Sequence, residues 1–429
     1  EKVTKMFYDK KAMYDTLQNF KENFVDPKNH HEDCKLAFEI LREFVKPVKL
    51  QPLLVHEGMD VSRNIKNLKS SAGALAYGKK KGEIVDEMIS QCLKYKNDLS
   101  LKPLMALGMR RSQLGGLVDK KGLFSPKTIK LKGRLVWCLE AGHILFESQY
   151  ARPLTEHLAA VFPNIATGKK PHEIKTRMLN WAYKYWISID YSKYDSTVQS
   201  WVIKKVFELI KEFFDDEYHA ELDWIRDNFI SLPILMPDGE IVWKHKGIPS
   251  GSYFTQVVGS LVNAYMVLTY MCHKYKCNKG AVLAQLRDAN NVNVLTFMAM
   301  GDDNIIFTVD PIDKKHLAEF LKWKFGIEVS EEKSEQGTSN DAPSFLKREY
   351  YQAGEYRNLV DLILNMLHPE RVREYKKKGF SPWHVMYGYY MTYPLAFQEF
   401  VSEDEILAGM HKDGGIIKLE SMDISSLPG

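Results

Sequence analysis

Met300-Gly301-Asp302-Asp303-Asn304 sets two adjacent carboxylates between two apolar runs. Upstream, residues 292–300 read as a buried strand, and downstream Ile305 to Val309 reads as a second, so the acidic pair falls at a hairpin turn. Two like charges beside a buried sheet repel each other and lose hydration. A divalent cation removes that penalty, which makes the pattern compatible with a metal site for phosphate chemistry. Gly and Asp are also ordinary turn residues, and on these five residues alone the plain turn is the simpler account.

A further carboxylate lies upstream. Tyr185-Trp186-Ile187-Ser188-Ile189 reads as a short strand ending at Asp190, and Asp195 follows within Asp190-Tyr191-Ser192-Lys193-Tyr194-Asp195. Val198, Val202, Val206, Leu209, Ile210 and Phe213 then fall at helical spacing. If the two strands are neighbours, Asp190 meets the Asp302-Asp303 pair, and hard cations take such carboxylates with water and substrate phosphates. A helix N-cap is the alternative for Asp190, but it explains one Asp and not the joint pattern. Between these pieces, Lys246-Gly247-Ile248-Pro249-Ser250-Gly251-Ser252-Tyr253-Phe254-Thr255 leads into an apolar helix from Val257 to about Met271. Small residues let a backbone approach a ligand, and a loop entering a helix favours phosphate, although a capped loop would read the same way.

In the order Asp-x4-Asp, Ser-Gly-x3-Thr and Gly-Asp-Asp, the chain resembles a viral RNA-dependent RNA polymerase. The words Gly-Ile-Pro-Ser-Gly-Ser-Tyr-Phe-Thr-Gln and Met-Gly-Asp-Asp-Asn are most similar to the partitivirus and picobirnavirus enzymes of small double-stranded RNA viruses, over about residues 70–357. The resemblance implies an α+β right-hand polymerase fold of fingers, palm and thumb, the palm a ferredoxin-like antiparallel sheet. It implies two Mg²⁺ (or Mn²⁺) ions on Asp190, Asp302 and Asp303, with Lys333 as the proton donor to pyrophosphate. A solvated surface lysine is the alternative at that position.

By the same resemblance Lys132 and Arg134 meet the incoming nucleotide, with Asp195, Ser250 and Thr255. Ser71, Gly73 and Gly251 would lie along the RNA, and Lys347 or Arg348 in a primer-grip hairpin would touch the nascent strand. One position departs from the pattern. Many related polymerases carry Asn or Asp four residues after the motif Thr, where this chain has Gly259. Sugar recognition would then rest on Asp195, Ser250 and Thr255, with Asn263 one helical turn further along the same face.

The elements that would position these groups divide the chain into expected parts. Residues 1–60 form a helical segment bridging to fingers, 60–184 fingers, 185–200 the first palm segment, 201–245 a fingers return, 246–355 palm and 356–429 thumb. Met236-Pro237-Asp238-Gly239-Glu240 marks a hairpin within the return. Trp383, Tyr387, Tyr389, Tyr390 and Tyr393 would stack on a priming nucleotide or, more simply, pack the thumb.

The 429 residues are 45% apolar and 12% aromatic, enough for a large core. Net charge is only +4, but residues 63–134 hold 17 Lys/Arg against 5 Asp/Glu, suited to an RNA and nucleotide track. Five scattered cysteines fit free thiols. The strings His30-His31-Glu32-Asp33-Cys34 and Cys272-His273-x3-Cys277 are metal-like in content, yet each lacks a partner cluster at zinc-site spacing and reads as ordinary helix.

No apolar run reaches membrane-spanning length, Gly168-Lys169-Lys170 lacks the rest of a P-loop, and Glu1 suggests numbering that begins inside a longer product. Expected partners are template and nascent RNA, ribonucleoside triphosphates and a viral capsid protein, with no membrane, in host cytoplasm or inside the particle. Two rivals remain: a reverse transcriptase, and a catalytically silent RNA-binding or capsid-scaffold protein that keeps the fold.

Overall fold

The computed structural model describes residues 10–21, 31–113, 132–359, 362–363, 381–397 and 401–412. The chain divides into two compact units, one of residues 1–169 and 182–335, the other of 170–181 and 336–429. The first opens with α1 (Lys10–Gln18), α2 (Glu32–Val45) and α3 (Val85–Asn97), followed by β1 (Ala106–Gln113), β2 (Lys132–Cys138) and α4 (Ala141–Val161). After α5 (Pro171–Asn180), which belongs to the second unit, come β3 (Tyr185–Ile189), β4 (Tyr191–Ser192), α6 (Tyr194–Thr197) and α7 (Ser200–Lys211). Next are α8 (His219–Ile230), β5 (Leu232–Leu235), β6 (Ile241–Lys244), α9 (Thr255–Lys274) and α10 (Lys279–Leu286). The last elements of the first unit are β7 (Phe297–Met300), β8 (Asp303–Thr308), α11 (Lys314–Phe325) and β9 (Glu328–Val329).

Two sheets carry the site. One has the order β2-β1-β5-β6, with β1 antiparallel to β2 and parallel to β5. In the other, β8 runs antiparallel between β3 and β7. From Asn304 to Thr308 β8 is buried without alternation, as a strand flanked on both sides and covered on both faces must be. Behind it lies α9, buried from Val257 through Cys272 and free of charged residues until His273. A helix that is apolar all round belongs in a core. It packs against α2, α7, α11 and β7.

Two expected boundaries shift. The strand expected over 292–300 forms only from Phe297. Before it, the Asp288 carboxylate accepts from Asn290 N–H and the Asn291 side chain from Asn293 N–H, local turns that compete with the ladder. The helix expected from Val198 begins at Ser200, after the separate turn α6.

The two metal-like strings do converge, in a way no spacing rule reveals. Lys324 Nζ, buried, donates to Asp33 Oδ1 at 2.6 Å and lies 2.8 Å from His31 Nδ1, while His273 Nδ1 is 3.5 Å from Asp33 Oδ2. A lysine ammonium thus holds the cation's place between the strings. His30 falls outside the described residues.

The second unit holds α5, a three-stranded antiparallel meander (Ser344–Phe345, Arg348–Tyr351, Gly354–Tyr356) and helices over Pro382–Thr392, Pro394–Phe397 and Glu403–Lys412. Tyr393 is buried with Leu362, Ala396 and Phe397, so core packing accounts for this one of the expected stacking aromatics.

Candidate active site

β7 and β8 meet in a two-residue turn, with Met300 opposite Asp303. Gly301 takes φ +61° as its first residue, the geometry a type II′ hairpin asks of glycine. Both Asp302 and Asp303 are exposed. On the other side of β8, Ile189 pairs with Asn304, so one further step of the register brings Asp190 opposite Asp303. The sequence expectation that Asp190 and the acidic pair occupy neighbouring strand ends therefore holds in the backbone.

Asp190 is fixed through its main chain. Its N–H donates to Ser334 Oγ at 3.0 Å, and its carbonyl accepts from Ser330 N–H at 2.8 Å. That turn also carries Lys333, whose Nζ lies 3.9 Å from Asp190 Oδ1, with the two side chains 62% and 45% exposed. Lys333 is thus a solvated residue beside the carboxylate.

Beneath the carboxylates runs a buried polar layer built from residues inside and beside the motifs, none of them expected to bond one another. Asn304 Nδ2 donates to Tyr191 Oη at 3.0 Å and to Asn263 Oδ1 at 2.9 Å, while Asn304 Oδ1 accepts from Ile189 N–H at 3.3 Å. Tyr191 Oη also donates to Asn263 Oδ1 at 3.1 Å, and Tyr194 Oη donates to the Gly259 carbonyl at 2.7 Å. Burial raises both phenols above their ordinary pKa, so each stays protonated and can donate. Tyr191, Tyr194 and Asn304 sit inside the acidic strings themselves, but their types and spacing do not show that they bond across to Asn263 and Gly259.

The structure corrects Asn263. It is fully buried, and its Nδ2 donates to the Gly301 carbonyl at 3.0 Å and lies 3.4 Å from the Asp303 carbonyl. Both ends of the amide are engaged inside the protein, so Asn263 is not placed to read a sugar. Thr255 likewise donates its hydroxyl to the carbonyls of Pro249 and Ser252, at 2.6 and 2.8 Å, in the manner of an ordinary loop cap. Asp195, by contrast, is exposed on α6, and its carbonyl accepts from Ile248 N–H at 2.6 Å, which ties α6 to the loop before α9.

Ser250 is exposed, and its Oγ accepts from Trp137 N–H at 3.1 Å, so the loop is pinned to the strand bearing Lys132 and Arg134. Those two residues lie on β2 opposite Gln113 and Arg111, and their side chains fall outside what the structure describes. A Cβ on Gly251 would come 1.8 Å from the Trp137 carbonyl, so the close approach this glycine permits is to β2. Glu147, also unannounced, is buried and accepts from Ser252 Oγ at 2.8 Å and Tyr253 N–H at 2.8 Å, locking the same loop to α4.

Ser71 Oγ accepts from Gly73 N–H at 3.1 Å, and Gly73 takes φ +68° against the Leu139 carbonyl. Lys81, read as part of a basic run, is buried and donates to Ser70 Oγ and the Ser71 carbonyl at 2.8 and 2.9 Å. A cleft of about 320 Å³ separates the Asn67–Ser70 segment from Gly251–Tyr253. In the second unit Arg348 binds Glu355 at 2.6 Å and covers the Tyr393 ring, whereas Lys347 is exposed on a turn with positive φ at both central residues, Leu346 and Lys347. Of that pair, Lys347 is the one that faces solvent.

Among the described residues no three His, Cys, Asp or Glu side chains converge closely enough to hold a metal ion. The donor chemistry nevertheless suits Mg²⁺, which binds through one or two carboxylates plus water and substrate phosphates and not through an all-protein cage. Asp190, Asp302 and Asp303 carry such oxygens at solvent-facing strand ends and the turn between them.

Known proteins resemble the chain in sequence and in fold. The RNA-directed RNA polymerase of Cryptosporidium parvum virus 1 (strain KSU-1) is 33% identical over 142 residues, 31% of this chain and 26% of that protein. Non-structural polyprotein 1AB of Ovine astrovirus 1 is 36% identical over 87 residues, 19% of this chain and 6% of that one. The chain thus spans about a quarter of the first relative and much less of the second. The RNA-dependent RNA polymerase of a human picobirnavirus aligns with TM-score 0.59 and 15% identity, covering 83% of this chain and 64% of that structure. Its insertion-loop deletion mutant gives 0.58 and 15%, with 83% and 66% covered. Likeness at this identity carries the fold, and it bears out the expected α+β polymerase architecture. The family model described as viral RNA-dependent RNA polymerase matches residues 112–402, well over half of the sequence, and the chain belongs to that family.

Proposed function

We propose that the protein synthesises RNA from ribonucleoside triphosphates on an RNA template, by nucleotidyl transfer at Asp190, Asp302 and Asp303. The observation that carries this reading is the hairpin turn that holds two exposed carboxylates one register step from Asp190. Two Mg²⁺ (or Mn²⁺) ions held by Asp190 and Asp302, with Asp303 completing or tuning the site, would lower the pKa of the attacking 3′-hydroxyl and stabilise the departing pyrophosphate.

The chain's own groups supply the rest. Lys333, 3.9 Å from Asp190, is suited to neutralise and protonate the leaving phosphate. Asp195 faces solvent beside the Ser250 loop and can accept from a 2′-hydroxyl, a contact that would favour ribonucleotides over the substrates of a reverse transcriptase. Lys132 and Arg134, on the strand that Ser250 grips, would shield the triphosphate. Lys347 would touch the nascent backbone. The division into fingers, palm and thumb, a capsid partner and work inside the viral particle or host cytoplasm belong to the same proposal.

Extension of a primed single-stranded RNA template with ribonucleotides and Mg²⁺ tests it. The parent should incorporate nucleotides, and Asp302→Asn should lose activity on the order of 10²-fold, as expected on removing one preorganised charge from a transfer site. Incorporation that survives in Asp302→Asn would relocate the site. A folded parent that binds RNA without incorporating any nucleotide would favour the scaffold reading.

A further inference from the structure

Gly259 stands where the motif resemblance leads one to expect a sugar-reading Asn or Asp, yet its surroundings are not those of a vacated contact. A Cβ built on Gly259 would lie 3.3 Å from Gly301 Cα and 3.9 Å from its carbonyl carbon. Those are backbone atoms of the turn that carries Asp302 and Asp303, and backbone has little freedom to withdraw. The next residue, Ser260, is buried, and its Oγ accepts from Gly301 N–H at 2.9 Å. One turn along, Asn263 Nδ2 donates to the Gly301 carbonyl at 3.0 Å. The helix is steadied from below, because the Gly259 carbonyl accepts from Tyr194 Oη and Asn263 Oδ1 accepts from Asn304 and Tyr191. Both polar groups of the Gly301 peptide segment are therefore held by α9, at a separation that a side chain at 259 would meet only if the turn gave way by a few tenths of an ångström.

We propose that Gly259, Ser260 and Asn263 form a seat that fixes the height of the Gly301–Asp303 turn, and that Gly259 is a positioning residue for the catalytic carboxylates. This inference rests on the polymerase reading for its kinetic consequence, but not for its structural one. A side chain at 259 does not restore a sugar contact; it lifts the turn off α9 by a few tenths of an ångström. Transfer chemistry depends steeply on such placement. The seat also explains why Asn263, on the face expected to meet a ribose, is buried, and it leaves sugar choice to the Asp195 side of the site.

The first readout is amide hydrogen exchange of the apo protein over residues 296–304, measured for the parent, Gly259→Ala and Ser260→Ala. Faster exchange at the turn in both variants, with the rest of α9 protected as in the parent, is the expected result. Exchange unchanged in both would overturn the seat whether or not the protein polymerises RNA. The second readout is kinetic. Gly259→Ala should lower kcat for single-nucleotide addition by about tenfold, a fraction of the loss that a full 1 Å misplacement brings, with KM for the nucleotide nearly constant. Gly259→Asn should leave the ratio of ribonucleotide to 2′-deoxyribonucleotide use no higher than in the parent. A rise in that ratio, with kcat maintained, would make Gly259 a vacated sugar contact and refute the proposal. If exchange behaves as expected but the parent makes no RNA, the seat stands and the polymerase reading fails.

Discussion

Asp195 and Asn263 both fell on the expected sugar-reading side, and burial separates them. Asp195 is exposed on a four-residue helix, while Asn263 has no accessible surface and bonds Gly301, Asn304 and Tyr191. Asp195→Ala should therefore erode the preference for ribonucleotides, measured by competing each nucleotide with its 2′-deoxy form. Asn263→Ala should leave that preference alone and instead lower unfolding stability by about 1–3 kcal/mol in urea, the usual cost of stranding buried polar partners. Unaltered discrimination in Asp195→Ala would remove Asp195 from sugar recognition. Lys333 shows the complementary limit of sequence reading. Its charged neighbours made it look like surface, which it is, and only the turn from Ser330 to Ser334 places that surface beside Asp190.

At the level of elements, the loop entering α9 is held from three directions: Trp137 of β2, Glu147 of α4, and Lys244 at the end of β6. Lys244 is wholly buried, donates to the Gly247 carbonyl at 2.7 Å, and lies within 6.0 Å of the ring centres of Phe20, Trp137 and Phe229. Desolvation holds its folded-state pKa well below the ordinary 10.5. In the unfolded chain the amine takes up its proton at the ordinary value, so between the two pKa values the unfolded state binds more protons. The Lys244 contribution to stability is therefore complete above 10.5, declines as pH falls toward the folded value, and is constant below it. Thermal melts over about pH 7 to 10 should show the parent gaining on Lys244→Met as pH rises. Parallel pH profiles for the two proteins would mean that Lys244 is solvated or paired in the folded state.

For the whole molecule, those cations between residues 63 and 134 whose side chains are described sort by exposure. Lys66, Lys69, Lys79 and Lys80 face solvent around the cleft-lining segment, whereas Lys81 is buried as a brace. Binding of single-stranded RNA should weaken as salt rises, with a log–log slope of about −0.7 per neutralised phosphate. Replacing Lys66 and Lys69 together by Gln should make that slope shallower by about 1.4 if each lysine meets one phosphate, as read by fluorescence anisotropy over a salt series. A slope equal to the parent's would assign both lysines to ordinary solvated surface.

Local chemistry was legible from the residues alone. The Asp-Asp turn, the strand ending at Asp190, the long apolar helix after Thr255 and the family itself all follow from short-range periodicity, turn residues and ordered motifs, which the sequence carries directly. The strand expected from 292 failed for an equally local reason, the Asp and Asn side chains that bond their own backbone before Phe297. What tertiary structure decided is which polar groups face water and which face each other. Asn263, Thr255 and Lys81 have polar side chains, and packing engaged them with other groups of the protein; Gly259 has none, and packing brought the Gly301–Asp303 turn against it. Those outcomes depend on distances of a few tenths of an ångström between elements far apart in the chain, and residue type and spacing along one strand or helix do not encode such distances.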